Sequence, residues 1–324
     1  MAGGKGKYVA FALVAAALYA LSTPFSKMLL EDVPSNMMAA LLYLGAGMGM
    51  AAVGGVQAAN GKGAQDRLTR ADIPYVVGMV VLDIGAPLLL MAGLTQAPAE
   101  NVALLNNFEI VATAAIASLV FKEPQGARLR IGVVVITLAC VLLTIEDVGA
   151  LRFSGGSILV VGACVCWGLE NNCTSRISDK DPVQIVVVKG FGSGMGALAI
   201  AFAFGDALPS PLLTVAALAL GFVAYGLSIF FYVRAQRGLG AARTSAFYGI
   251  APFVGVLLAW ALFRQTPGPL FLVALVVMGW GTWLVTPRAE RNPSGEVRDE
   301  EPARMRTGMA EDISAARLVG ERRR

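Results

Sequence analysis

Ten apolar runs divide this chain, each close to the roughly 20 residues an α-helix needs to cross a bilayer. They cover 8–30, 35–58, 73–95, 99–121, 128–146, 156–177, 182–205, 211–233, 242–263 and 268–286. In lipid the backbone must satisfy its own hydrogen bonds, so runs of this length read as helices. Composition agrees, with 56% hydrophobic and only 15% charged residues, where a soluble domain carries about 25% charged. The fold class read here is an all-α membrane protein with ten transmembrane helices.

Pro34, Pro74, Pro98, Pro182 and Pro211 stand at or near the starts of runs, where a missing N–H costs nothing. Asp72 and Asp181 precede two of those starts and suit a capping role. The first run is longer than a signal-peptide core and more runs follow it, so it reads as the first span. The boundaries expected are a short N-terminal segment (1–7), a first five-span unit (8–147), a second (154–287) and a tail (288–324). The tail is rich in Arg, Glu, Asp, Pro and Gly, and reads as solvated and disordered. A short helix near 309–319 is the one element it suggests.

Lysine and arginine set the orientation. With the N-terminus in the cytoplasm, that side holds Lys5, Lys7, Lys62, Arg67, Arg70, Lys122, Arg128, Arg130, Arg176, Lys180, Arg234, Arg237 and Arg243, before the tail is counted. The other side holds Lys27, Arg152 and Arg264. Both termini are therefore expected in the cytoplasm and the chain in a bacterial-type inner membrane.

The two halves echo one another. YALSTPFSKMLLEDVP (19–34) aligns with WGLENNCTSRISDKDP (167–182) at an offset of 148. GAGMGM (45–50) aligns with GSGMGA (192–197) at 147, and the fourth and ninth runs align at 143. Each half has five runs. Five is odd, so the second half enters the membrane inverted relative to the first. Inverted repeats of this kind build many secondary transporters, with the substrate site near the midplane between the halves.

Few ionisable groups lie inside the spans, and such groups are functional candidates by default. Glu170 and Lys189 flank the polar turn Ser178–Asp181 at similar distances. A rise of about 1.5 Å per residue puts both roughly 10 Å or more in from the loop. Three readings stay open: an ion pair, a lysine for a substrate carboxylate beside a proton-accepting Glu170, or a lysine that snorkels to the surface. Asp83 and Glu109 fall mid-span at similar depth in the third and fourth runs. They form either a shared proton site, where both cannot easily ionise, or two separate groups on their own helix faces. Asn106, Glu109 and Thr113 lie on one polar helix face that turns to protein or to a wet cavity. Asn171 and Asn172 add amides, and Tyr19, Trp167, Phe247 and Tyr248 offer rings to a ligand or to packing. Pro24, Pro87 and Pro252 sit inside runs and should kink them.

Ten helices in two five-helix halves, the Trp167-Gly168 to Asn171-Asn172 pattern and the proline-closed fourth and ninth runs resemble the drug/metabolite transporter superfamily, EamA-type branch. The first half departs from that pattern, with Tyr19–Ala20 where a tryptophan–glycine pair is common. The resemblance covers about 8–287 and implies a central cavity lined mainly by helices 1–4 and 6–9, with 5 and 10 peripheral. It also implies movement of small metabolites.

Several classes are excluded or disfavoured. Histidine is absent, which removes imidazole triads and the commonest zinc ligand. No catalytic or metal site is expected. No GxxxxGK motif exists, so no internal ATPase and no nucleotide cofactor is expected. Nothing points to nucleic acid. Cys140, Cys164, Cys166 and Cys173 all lie in apolar runs and read as buried small residues. A homo-oligomer is allowed, but nothing points to one. The function expected is export of a small polar metabolite such as an amino acid, by alternating access. The alternative is a small-multidrug-like, proton-coupled exporter of lipophilic cations, which Lys189 opposes unless Glu170 neutralises it. The expected partners are a small-molecule substrate and the bilayer.

Overall fold

The computed structural model describes residues 2–61, 66–119, 126–147, 152–239, 244, 247–264 and 268–285. The chain divides into Met1–Thr286 and Pro287–Arg324. The expectations for the tail, for Lys62, Lys122 and Arg243, and for the prolines that close the fourth and ninth runs (Pro124 and Pro267) fall outside the described residues.

Ten helical spans are present among the described residues, five in each half. The first is Ala2–Ala20 followed by Ser22–Leu29, and the second is Ser35–Ala59. A short 3-10 turn (Arg70–Asp72) leads into the third, Ile73–Gln96. The fourth is split into Ala99–Leu105 and Phe108–Leu119, and the fifth is Ala127–Thr144. The second half supplies Gly155–Arg176, Pro182–Ala203, a continuous Pro211–Leu239 with a π-helical segment at Phe222–Leu227, Ala251–Phe263 and Pro269–Val285. A two-stranded antiparallel ladder, Ile145–Asp147 with Arg152–Phe153, joins the halves. Five helices are long and apolar enough to cross a bilayer by that measure alone, among them Ser35–Ala59 and Pro182–Ala203. Ala251–Phe263 and Pro269–Val285 are shorter apolar helices.

The packing obeys one exchange rule, in which each span maps onto the one five places later. The second span packs on the seventh, the fourth on the ninth and the fifth on the tenth. The third packs on the sixth, and its counterpart, the eighth on the first, is also formed. Small residues allow these approaches. A side chain at Gly47 would come within 2.9 Å of the Phe191 backbone nitrogen in the seventh span. A side chain at Gly93 would meet the Gly156 carbonyl at 2.7 Å, where the third and sixth spans touch. Without a hydrophobic drive between helices in lipid, such close backbone contact is what holds them together.

Local signals act as expected in most places and differently in three. Asp181 caps the seventh span, accepting from Val183 N at 2.8 Å. Asp72 does not cap the third span. Its carboxylate accepts from Thr69 N and Oγ1 and closes the preceding 3-10 turn instead. Pro252 is not interior, because the ninth helix begins at Ala251 and Pro252 occupies its first turn. The fourth span breaks at Asn106–Asn107 without any proline. There the Glu109 amide bonds Asn106 O at 3.1 Å, a tightened turn that deprives Leu105 O of its usual donor. The Cys164 thiol from the sixth span donates to Leu105 O at 3.6 Å. The ninth span has its turn at Gly249–Ile250, and the offset of 143 carries Asn106–Asn107 onto those residues.

Candidate functional site

The site is built around Lys189 on the seventh span. Its Nζ lies 3.0 Å from Asp83 Oδ2 on the third span and 3.0 Å from Glu170 Oε1 on the sixth. All three residues are buried, Asp83 completely. The expected Glu170–Lys189 pair is therefore a triad, and Lys189 does not snorkel. Tyr43 on the second span donates from its hydroxyl to Asp83 Oδ1 at 2.9 Å and accepts from Trp167 Nε1 at 3.4 Å. Thr174, one turn beyond Glu170, donates to the Glu170 carboxylate. The second, third, sixth and seventh spans thus meet in one polar cluster, with two of them placing a carboxylate on the lysine. A charge this far from water persists only when paired and hydrogen-bonded.

Glu109 is held elsewhere. Asn171 Nδ2 donates to its Oε1 at 2.6 Å and reaches Thr113 Oγ1 at 3.5 Å. The similar depth of Asp83 and Glu109 does not bring them together. Asp83 faces the second and seventh spans, and Glu109 faces the sixth. The shared two-carboxylate site is not formed.

These groups border a small cavity that opens to the surface. One wall is polar, with Glu109 from the fourth span and Trp167, Glu170, Asn171 and Thr174 from the sixth. The facing wall is Tyr19 from the first span, Tyr225, Ile229, Tyr232, Val233 and Gln236 from the eighth, and Tyr248 from the ninth. Tyr43 and Lys189 close the back. Five tyrosine rings run in series: Tyr43 to Tyr225 at 5.2 Å between centroids, Tyr225 to Tyr19 at 5.9 Å, Tyr19 to Tyr248 at 5.5 Å and Tyr248 to Tyr232 at 4.9 Å. Among the described residues, the fifth and tenth spans contribute nothing to the lining. The lining extends to Val233 and Gln236 near the end of the eighth span, beside Arg234 and Arg237, which is the Lys/Arg-rich side.

Of the residues singled out in the sequence, Tyr19, Glu109, Trp167, Glu170, Asn171, Lys189 and Tyr248 line this cavity. Asp83 stands behind Lys189 and meets the cavity only through it and Tyr43. Asn106 lies instead in a second, smaller cavity beyond Tyr19, with Thr23, Pro252 and Gly255. Its Nδ2 donates to Thr23 Oγ1 at 3.5 Å. Asn172 turns back on its own helix, donating to Gly168 O at 2.8 Å. The residues not anticipated are Tyr43, Tyr225, Tyr232, Thr174 and Gln236. Thr174 had a signal, since it follows Glu170 at i+4. The tyrosines had none without knowing which spans face each other.

The EamA-like transporter family matches the chain twice, over residues 6–145 and 154–286. The chain belongs to that family. The two EamA-like segments correspond to the two five-span halves, so the ten-helix fold is a paired repeat of one unit. A protein of Methanothermobacter thermautotrophicus described as an uncharacterized transporter is 27% identical over 238 residues, covering 71% of this chain and 69% of that protein. The uncharacterized transporter YyaM of Bacillus subtilis is 22% identical over 227 residues, covering 66% of this chain and 74% of its own. A solved crystal structure at 15% identity superposes with a TM-score of 0.64, over 87% of this chain and 96% of that one, and shares the fold. As an EamA-like transporter, the chain is integral to a membrane and handles a small molecule.

Proposed function

We propose that this EamA-like transporter exports a small polar metabolite of amino-acid size across a bacterial-type inner membrane by alternating access. One observation carries the reading. The cavity lies between a polar wall (fourth and sixth spans) and an aromatic wall (first, eighth and ninth spans), with the paired ionisable groups at its base. Binding sites between inverted repeats, beside helices broken at corresponding positions, suit rocking of one wall against the other. The fourth and ninth spans are broken in this way. The lining extends toward the Lys/Arg-rich end, which is cytoplasmic by charge, and a cavity loaded from that side suits export.

The test is uptake into liposomes holding the purified full-length protein, screened over amino acids and related metabolites with and without a proton gradient. Transport above protein-free liposomes is expected, with loss in Glu170→Gln. A complete absence of transport under every gradient overturns the reading.

A further inference from the structure

The second, smaller cavity lies where broken helices meet. Ala20 is the last residue of the first segment of the first span, and Leu105 ends the first segment of the fourth. Tyr19, Ala20 and Thr23 line the cavity from one side and Ala103 and Asn106 from the other. Helix ends leave carbonyls without partners, and two features here add to that. Pro24 has no N–H to give to Ala20 O, four residues back. A side-chain carbon built at Gly255 would lie 3.5 Å from Ala20 O, so that carbonyl faces the ninth span across the cavity. In the fourth span the Asn107 amide bonds Leu104 O at 3.2 Å, which takes the usual helical donor away from Ala103 O.

A side-chain oxygen joins these carbonyls. Asn106 Oδ1 is buried and has no hydrogen-bond partner among the described residues, while its Nδ2 reaches Thr23 Oγ1 at 3.5 Å. The ninth span returns few donors. Pro252 has no amide hydrogen, and Phe253 N and Val254 N both bond Ile250 O, at 3.1 and 3.2 Å. The cavity has room for about one water-sized guest. A water brings two hydrogens and would leave further oxygens bare, which is costly in a buried place. A cation serves all of them at once. Half-helix C-terminal ends and unwound carbonyls suit a sodium ion between inverted repeats. The donor set holds no carboxylate, and a divalent ion such as calcium wants several.

We propose that this cavity is a sodium site, with Ala20 O, Thr23 Oγ1, Ala103 O and Asn106 Oδ1 as ligands. Glu109 follows Asn106 at i+3 and lines the larger cavity, and Tyr19 lines both, so a carboxyl group across the Tyr19 ring offsets the ion's charge. The ligands belong to the first and fourth spans, and Gly255 of the ninth closes over them. A bound ion therefore fastens three spans on the side away from the main cavity's mouth. Resting on the transport reading, sodium is then the ion whose gradient drives transport.

The experiment is thermal unfolding of the purified full-length protein in NaCl, KCl or N-methylglucamine chloride at equal ionic strength. A ligand that binds only the folded state raises the melting temperature with the logarithm of its concentration, and a rise of a few degrees is expected in NaCl alone. Thr23→Val keeps the shape and removes one ligand, so about tenfold more sodium should be needed for the same rise. Asn106→Asp keeps the oxygen and adds charge, and should lower the sodium needed. Gly255→Ala puts a methyl group against Ala20 O and should abolish the response, with a cooperative melt in sodium-free buffer as the check on folding. If Gly255→Ala does not fold, Thr23→Val decides. No rise in NaCl, an equal rise in KCl or N-methylglucamine chloride, or a rise that survives both substitutions overturns the sodium site. Sodium binding with transport indifferent to a sodium gradient sinks the coupling and leaves the site. Sodium binding with no transport of any metabolite sinks the transport reading alone.

Discussion

Lys189 is the only positive charge among three buried side chains that would each be costly alone. Removing it strands Asp83 and Glu170 with no counter-ion, and breaking a buried pair by deleting one partner costs about 3–5 kcal/mol. Lys189→Met should therefore lower thermal stability in detergent sharply. Combining it with Asp83→Asn and Glu170→Gln should recover much of the loss, because the stranded charges go with the lysine. An equal loss in single and triple variants would show that the lysine stem, not its charge, matters there. Tyr43→Phe removes the hydroxyl that donates to Asp83 and accepts from Trp167. A buried polar group left unmatched costs about 1–3 kcal/mol, and the same melting experiment reads it. The Glu170–Lys189 half of this cluster was legible because a polar turn sits midway between them. Asp83 was not. Its depth is written in the third run, but its facing the seventh span belongs to tertiary packing, where Gly192 and Gly196 leave room for Val80 and Ile84 of the third.

At the level of elements, the breaks in the helices matter more than the helices. Pro24 advertised the break in the first span. The break at Asn106–Asn107 carried no proline, so local sequence gave no reason to expect it. Only the offset of 143 between the halves, laid over the turn at Gly249–Ile250, relates the two. Away from the cavity mouth, two polar ties join the first span to the third and the fourth. Lys27 Nζ on the first span donates to Leu94 O at 2.5 Å and Ala97 O at 3.1 Å at the end of the third. Asn106 on the fourth reaches Thr23 on the first. These ties are expected to help close the side opposite the mouth. Lys27→Met is expected to loosen it, raising the labelling of a Thr23→Cys probe by a membrane-impermeant maleimide applied from that side. Unchanged labelling would mean that apolar packing of Ala103 near Gly255 closes the seam without help.

Across the whole molecule, apolar run length and an odd number of runs per half were enough to read ten spans and an inverted pair. Which spans meet was not legible, since it follows from small residues whose partners are distant in sequence. Those contacts mostly join one half to the other: second to seventh, third to sixth, first to eighth, fourth to ninth, fifth to tenth. Neither half carries a complete interior. Residues 1–149 and 150–324 produced as separate polypeptides should each be degraded, and co-production should restore a complex that co-purifies. Stable accumulation of either piece alone would contradict this. The interleaving also sets a timetable for biogenesis. The first five helices must wait in the bilayer, inserted but without their neighbours, until the ribosome has delivered the rest. Pro269–Val285 is the helix that covers Gly132 on the fifth, so the fifth span keeps a bare face until the last of the described helices has been made.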